Sequence, residues 1–323
     1  MRFLSFCLAF ALSLATGCSG GNSKPPATVL SQTGRQSVLI EGVSIVYHVH
    51  GSGPVVFAHP GGPGAEWSYL RMPEVEKVAT VVYIEPMGSG ASGNLPDPNG
   101  YTFARYAAFV DGVRAHLGVD RFVLLGHSHG GFVAQTYALA YPEHLRGLIL
   151  YDTSPTTGAE WQKDVESNLK WFEHEPWFAE AKAGLAQETS VKTDDEMTAV
   201  FRREMPLYFA DWTGRQKEYE PLRAQVRFAV APTKSGVDPS APADVGVTNL
   251  FDVRPRLGEI KAPTLVIVGT KDFICSRRWA NALHEGIHGS NLVVLEKSGH
   301  MGHIEEPRAH ARAIAEFLAS LPP

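Results

Sequence analysis

Hydrophobic and polar positions follow two rhythms along the chain. Short apolar, β-branched runs alternate with longer stretches of amphipathic spacing, which predicts a mostly parallel sheet with helices on both faces. The runs place eight strands at residues 37–40, 44–49, 55–58, 80–84, 121–125, 147–151, 264–268 and 292–295. Val55-Val-Phe-Ala58, Leu148-Ile-Leu150 and Leu265-Val-Ile-Val268 have no polar face, as suits strands covered on both sides. From residue 154 to about 251 the strand rhythm stops. Aromatic and acidic stretches such as Trp171-Phe-Glu-His-Glu-Pro-Trp177 and Glu204-Met-Pro-Leu-Tyr-Phe-Ala-Asp-Trp212 replace it, and they predict a helical lid inserted between two halves of the sheet. Residues 232–247, rich in Pro, Gly and Ser, read as the loop returning from that lid. The expected organisation is core over 37–153, lid over 154–251 and core again over 252–323, with no internal repeat.

Composition narrows the partners. A chain of 323 residues, 44% hydrophobic and 20% charged, can bury a large core. Its net charge of -5, with no run of Lys or Arg, gives no reason to expect nucleic acid, and a small molecule or short peptide is the expected partner. Residues 1–17 hold Arg2, an apolar run over 3–15 and then small residues, the pattern of an export signal; the run is too short for a lasting membrane span. Leu14-Ala-Thr-Gly-Cys18 resembles a bacterial lipobox, which implies a lipid on Cys18, a tether over 18–36 and attachment to a membrane through that lipid alone. Cutting at the same bond by ordinary signal peptidase is the alternative, and it leaves a periplasmic or secreted protein. With Cys7 in the signal and Cys18 lipidated, Cys275 has no partner for a disulfide.

Three segments carry chemistry. Gly126-His-Ser-His-Gly130 follows an apolar strand and precedes helical spacing, the strand, elbow and helix context of a G-x-S-x-G nucleophile, so Ser128 is the expected nucleophile. The same string at Gly17-Cys-Ser-Gly-Gly21 has neither flank and is accidental. Gly269-Thr-Lys-Asp272 follows the strand at 264–268 and Glu296-Lys-Ser-Gly-His300 follows the last one. They place a carboxylate, Asp272, to orient an imidazole, His300, that titrates near neutrality and can shuttle the serine proton. Asp152, after the strand at 147–151, is a competing carboxylate for that role. The loop His59-Pro-Gly-Gly-Pro-Gly64 offers bare backbone N–H groups, and Gly62 and Gly61, with the amide of His129, form the expected oxyanion hole. The rings of His127 and His129 read as shape-fillers, His303 as a packing residue and Cys275 as a small buried one. No metal or cofactor is called for.

Together, GGPG after the third strand, Met87-Gly-Ser-Gly-Ala-Ser92 after the fourth, GHSHGG at the elbow and GHMGHIEEP near the end resemble the proline iminopeptidase branch of the α/β hydrolases. The likeness runs over residues 37–154 and 256–318 and leaves the lid largely unmatched. It implies the α/β-hydrolase fold, whose chain order of Ser, acid and His is the order found here. It also implies release of an N-terminal residue, often proline, from short peptides, with esterase or lactonase activity as the alternative among close relatives. In such aminopeptidases lid carboxylates hold the substrate ammonium, and the resemblance offers Glu204, Glu173 and Glu175 for that part. Pro60 stands where the family has the histidine of HGGPG, and Glu85-Pro86 replaces the usual Asp and its neighbour.

Two rival classes are weaker. His284-Glu-Gly-Ile-His288 fits the HExxH string of zinc proteases, but Gly286 weakens the helix that must present both rings and Gly289 stops it. His48 and His50 share a strand face without a third metal ligand and read as a solvated surface. A non-catalytic binding protein of the same fold has no need of a complete triad, and all three members stand in place.

Overall fold

The computed structural model describes residues 33–234 and 251–322. The expected signal, Cys18, the tether up to residue 32, the accidental serine motif and most of the returning loop lie outside the described residues.

The sheet has eight strands: β1 (Gly34–Ile40), β2 (Val43–Gly51), β3 (Val55–His59), β4 (Thr80–Ile84), β5 (Phe122–His127), β6 (Leu145–Tyr151), β7 (Thr264–Gly269) and β8 (Asn291–Leu295). Their order is β1-β2-β4-β3-β5-β6-β7-β8; β1 with β2 and β2 with β4 are antiparallel, and every later pair is parallel. The mostly parallel sheet is what the alternation predicted, and the arrangement is the α/β-hydrolase fold that the resemblance implied. Strand ends move by a few residues, because β1 begins at Gly34 and β6 at Leu145.

Side-chain alternation divides the core. Phe122 and Leu124 of β5 face one layer, where they meet Val133 and Tyr137 of a helix, while Val123 and Leu125 face the other. β4, β5 and β7 are buried along their whole length, which explains their continuous apolar sequences. Edge strand β1 instead alternates exposed and half-buried positions.

The helices are α1 (Pro73–Glu76), α2 (Phe103–His116), α3 (His129–Ala140), α4 (Ala159–Asn168), α5 (Phe178–Leu185), α6 (Asp194–Glu204), α7 (Trp212–Gln225), α8 (Ala231–Lys234), α9 (Arg277–Gly286), α10 (Gly302–Glu305) and α11 (Pro307–Ser320). Five of them, α4 to α8, occupy the described part of the insertion between β6 and β7. Thr193 starts α6 with a reciprocal cap: its hydroxyl accepts from Glu196 N–H and the Glu196 carboxylate returns to the Thr193 N–H. The insertion is stitched to the core by bridges between Thr156 and Asp252 and between Ala65 and Phe228. Glu66 N–H donates to the Arg227 carbonyl at 3.0 Å and Ala229 N–H to that of Gly64 at 2.8 Å, so the glycine loop after β3 is fastened to the insertion. No helix among the described residues is long and apolar enough to cross a membrane.

Where β5 meets α3 the backbone passes too closely for a side chain. A Cβ on Gly126 would lie 2.2 Å from the Gly130 carbonyl oxygen and 2.7 Å from the Ala134 Cβ. Gly126→Ala is therefore expected to destabilise the protein by about 1–3 kcal/mol, the usual effect of overpacking, as measured by urea denaturation against the parent chain.

Candidate active site

Ser128 sits between β5 and α3 with φ 55 and ψ -122, a left-handed conformation that a side-chain-bearing residue adopts only under constraint. The constraint is visible. Ser128 N–H donates to the Tyr151 carbonyl at 3.0 Å, and the Ser128 carbonyl accepts from Gly131 N–H and the Thr153 hydroxyl, each at 2.8 Å. The side chain borders a cavity of about 390 Å³. Among the described residues its hydroxyl has no hydrogen-bond partner, so it is free toward that space.

His300 lines the same cavity, and its Nδ1–H donates to Asp272 Oδ2 at 2.8 Å. Both side chains are almost wholly buried. Asp272 is held in turn, because its Oδ1 accepts from Ile274 N–H at 3.0 Å and Cys275 N–H at 2.9 Å. With Nδ1 carrying the proton, Nε2 is the basic nitrogen. The His300 loop is clamped by two carboxylates of the GHMGHIEEP segment: Glu305 accepts from Gly299 N–H at 2.6 Å and Ala210 N–H at 2.8 Å, and Glu306 from Lys297 N–H at 2.7 Å and the Ser298 hydroxyl at 2.8 Å. From the insertion, the Tyr208 carbonyl accepts His300 N–H at 2.8 Å.

The competing carboxylate, Asp152, is fully buried beside this group, and its Oδ1 accepts Gly269 N–H at 2.8 Å. Burial and then the charge of Asp272 raise its proton affinity far above the usual carboxylate range, and it is Asp272, not Asp152, whose oxygen meets His300 Nδ1.

The glycine loop differs from expectation in one donor. Gly61 N–H donates to the Tyr69 hydroxyl at 2.6 Å and is thereby committed. Gly62 N–H has no acceptor among the described residues, and His129 N–H opens helix α3, where the first amides lack intrahelical partners. Both residues line the cavity. His129 is a packing residue, set among Phe103, Tyr106 and Phe132, and burial pushes its ring down to about 3. His127, expected to be a filler, instead hydrogen-bonds through both ring nitrogens.

None of the three insertion carboxylates offered by the sequence lines the cavity, and only Glu204 has a neighbour that does. Glu173 is exposed, and Glu175 is engaged on the surface by the Thr213 hydroxyl at 2.5 Å. Glu204, at the end of α6, is completely buried with both carboxyl oxygens unpartnered. Its neighbour is Glu188, a residue missed from the sequence, which lines the cavity and is open to solvent there although densely surrounded by protein. Burial and then Glu188 push Glu204 up to about 10, and burial raises Glu188 as well. An ordinary Gln-Glu-Thr stretch gives no sequence signal for such a site.

The other departures are structural. His48 is buried, not solvated: Nε2 pairs with Glu85 at 2.6 Å while its ring stacks on Trp67 at 3.9 Å. Glu85, the substitute for the family's Asp, also accepts Ala91 N–H, and Ser92 bridges the Glu85 carbonyl at 2.7 Å to Val46 N–H at 2.8 Å. Cys275 is buried at the cavity wall, where burial raises its thiol well above the ordinary range. Helix α9 ends at Gly286, leaving His288 off the helix that carries His284.

With this geometry in view, comparison with known proteins defines the class. The model of the alpha/beta hydrolase fold matches residues 54–307. The chain belongs to the α/β-hydrolase family and is a hydrolase of that fold. It is similar to a proline iminopeptidase of Saccharolobus solfataricus, 28% identical over 291 residues that cover 84% of this chain and 87% of the relative. A proline iminopeptidase of Clostridium botulinum is 30% identical over 271 residues, covering 82% and 89%. The solved structure of an enol-lactonase from Burkholderia xenovorans superposes with a TM-score of 0.65 at 20% identity, over 88% of this chain and 100% of that one, a likeness of fold.

Glu204 makes stability depend on pH with a definite sign. Its folded proton affinity is raised from 4.5 to about 10, so within that window the folded chain keeps a proton that the unfolded chain loses. Stability contributed at low pH is then lost as pH rises. Glu204→Gln, neutral throughout, is expected to raise the thermal unfolding midpoint relative to the parent by more at about pH 8.5 than at about pH 5.5. Glu188 and Arg203, the charges beside it, are retained in both proteins.

Proposed function

We propose that this protein is a serine aminopeptidase of the proline iminopeptidase type, releasing an N-terminal residue from short peptides through an acyl-enzyme on Ser128. The observation that carries the reading is the Glu204 and Glu188 pair. A fully buried carboxyl group with two unpartnered oxygens costs stability unless something answers it, and such groups cluster at functional sites. Glu188 presents the pair to the cavity, where the α-ammonium of a peptide N-terminus supplies both the charge and the donors. Binding there lowers the proton affinity of Glu204, which releases its proton to solvent as the cation arrives.

In the proposed reaction the Ser128 oxygen attacks the carbonyl of the first residue and its proton passes to His300 Nε2. Nucleophile and base draw together as substrate binds, since such contacts are commonly loose beforehand. Gly62 and His129 N–H groups take the negative charge that develops on the carbonyl oxygen. His300 then returns the proton to the departing amine, and a water, deprotonated by the same nitrogen, hydrolyses the ester. Asp272 holds Nδ1–H and stabilises the imidazolium throughout. Apolar walls, including Phe103, Phe132, Phe201 and Phe228, enclose the first residue's side chain. Those walls also favour the second reading, an esterase or lactonase using the same triad on a neutral acyl group.

Ser128→Ala is expected to abolish turnover and fluorophosphonate labelling with an unchanged circular dichroism spectrum; residual full activity would remove the mechanism. Asp272→Asn is expected to lower kcat by about 10⁴-fold, the loss seen when a triad histidine is left in the wrong tautomer. Asp152→Asn, which leaves the bond between His300 and Asp272 in place, is expected to stay within about tenfold of the parent, the scale of roughly 1.4 kcal/mol.

Substrate class is decided by a paired assay. Glu204→Gln and Glu188→Gln are expected to reduce kcat/KM for prolyl arylamide by about 10²-fold or more, the order of a lost buried ion pair, while hydrolysis of a short-chain aryl ester continues. Equal losses on both substrates would favour the esterase reading.

A further inference from the structure

Three hydrogen bonds link the glycine loop to the catalytic base through residues that the proposed mechanism does not use. Gly61 N–H lies 2.6 Å from the Tyr69 hydroxyl, that hydroxyl 2.7 Å from His127 Nδ1, and His127 Nε2 2.9 Å from the His300 carbonyl oxygen. A fourth bond, from His303 Nε2 at 2.8 Å, fixes the Tyr69 carbonyl, and His303 Nδ1 is satisfied by the Tyr151 hydroxyl at 2.9 Å. Tyr69, His127 and His303 are all buried.

Elementary chemistry gives the chain a single direction. A carbonyl only accepts, so His127 Nε2 carries the proton and donates to His300. In a neutral ring Nδ1 is then the acceptor, so the Tyr69 O–H donates to it. The Tyr69 oxygen, its proton spent, accepts from Gly61 N–H. Burial, followed by the neighbouring His300 and His303, holds His127 in its neutral form, as the assignment needs. The Tyr69 proton is thus unavailable to a substrate oxyanion, and this hydroxyl is no third donor.

We propose that Tyr69 and His127 are positioning residues, a one-way hydrogen-bond relay that sets the oxyanion loop in register with the His300 loop and so fixes where the Gly62 amide meets the developing charge. This rests on the serine hydrolase reading and deepens it. The loop has little freedom otherwise to be right, since a Cβ on Gly61 would stand 2.8 Å from the Ser128 Cβ and 3.0 Å from the Tyr69 hydroxyl. Gly61 therefore lies directly against the nucleophile, and tilting its peptide displaces the next amide. Misplacement of about 1 Å at a reacting centre can cost about 10²-fold in rate.

The test uses Tyr69→Phe, which keeps the ring, and His127→Gln, whose amide can donate and accept in place of the imidazole. Each is assayed on prolyl arylamide and an aryl ester, and by affinity for phenylboronic acid, which adds to a serine hydroxyl as a tetrahedral anion without a leaving group. Tyr69→Phe is expected to lower kcat by about 10-fold to 10²-fold on both substrates, with KM within about twofold. Boronate affinity is expected to fall in parallel, with the thermal midpoint little changed. His127→Gln is expected to recover part of that loss relative to His127→Ala. The double variant Tyr69→Phe/His127→Gln is expected to be no worse than its poorer single parent, because one broken link disables the relay. Unchanged kcat and boronate affinity in Tyr69→Phe would overturn the proposal, as would losses that multiply in the double variant or a loss confined to KM. Should Tyr69→Phe fail to fold, the His127 pair decides by the same readouts. Fluorophosphonate labelling of the parent separates this outcome from failure of the hydrolase reading, which shows as no labelling at Ser128.

Discussion

A serine backbone held at φ 55 is the constraint from which the site is built. The conformation survives because neighbours on all sides fix it: the Tyr151 carbonyl from β6, the Thr153 hydroxyl and Gly131 N–H all bond the Ser128 peptide groups. Glycines at 126 and 130 are needed because α3 must start almost in contact with the strand it leaves and with the loop after β3; a Cβ on Gly130 would lie 2.3 Å from the His59 carbonyl. The strain thus rests on the rigidity of a parallel sheet whose central strands are wholly buried. The proposed catalytic groups stand at the carboxyl ends of those strands, where loops after β3, β5, β7 and β8 converge.

Charge at this end is kept to a few groups. Asp152 and Asp272 lie side by side in the interior; burial and the neighbouring carboxylate raise the proton affinity of Asp152, while Asp272 holds the His300 ring. The nearby histidines follow the same logic, with His303 pushed down to about 4 and His310 to about 3 by burial. Neutral rings can each donate with one nitrogen and accept with the other, which is what a fixed network demands. The second carboxyl pair, Glu188 and Glu204, differs in that neither Glu204 oxygen accepts a bond from the backbone among the described residues, whereas Asp152 and Asp272 each accept at least one. Backbone donors hold the first pair and leave the second to a ligand, which is the physical basis for separating catalysis from substrate capture in the proposed mechanism.

How much was legible in the sequence follows from which signals are local. The eight strands were readable because apolar runs bounded by Gly and Pro reflect burial directly, and the elbow because a strand, a glycine-flanked serine and a helix lie in one stretch. Asp272 and His300 could be placed because each follows a recognisable strand. Asp152 follows one too, and no feature of the string shows which carboxylate faces Nδ1. The commitment of Gly61 to Tyr69, the partnership of His48 with Glu85 and the hydrogen bonds of His127 depend on side chains meeting across the fold. Periodicity does not encode such meetings. Glu173 and Glu175 drew notice through a conspicuous aromatic and acidic run, whereas Glu188 has unremarkable neighbours and acquires meaning only from the buried Glu204 beside it.

The insertion is more than a cover over the cavity. Its Tyr208 carbonyl holds His300 N–H, and a Cβ on Gly299 would lie 2.7 Å from that same carbonyl, so the base loop is packed against the insertion without slack. Glu305 ties Ala210 of the insertion to Gly299 through one carboxylate, and burial brings its proton affinity up to about 7. Tyr208 follows Glu204 by four residues, so the segment that ends in the proposed ammonium site is continuous with the segment that positions the base. A cation drawn to Glu204 therefore acts on a stretch of backbone already bonded to His300. Under the proposed function, recognition of the N-terminus and alignment of the general base share one short piece of chain, which makes replacement of the insertion a change in catalysis as well as in specificity.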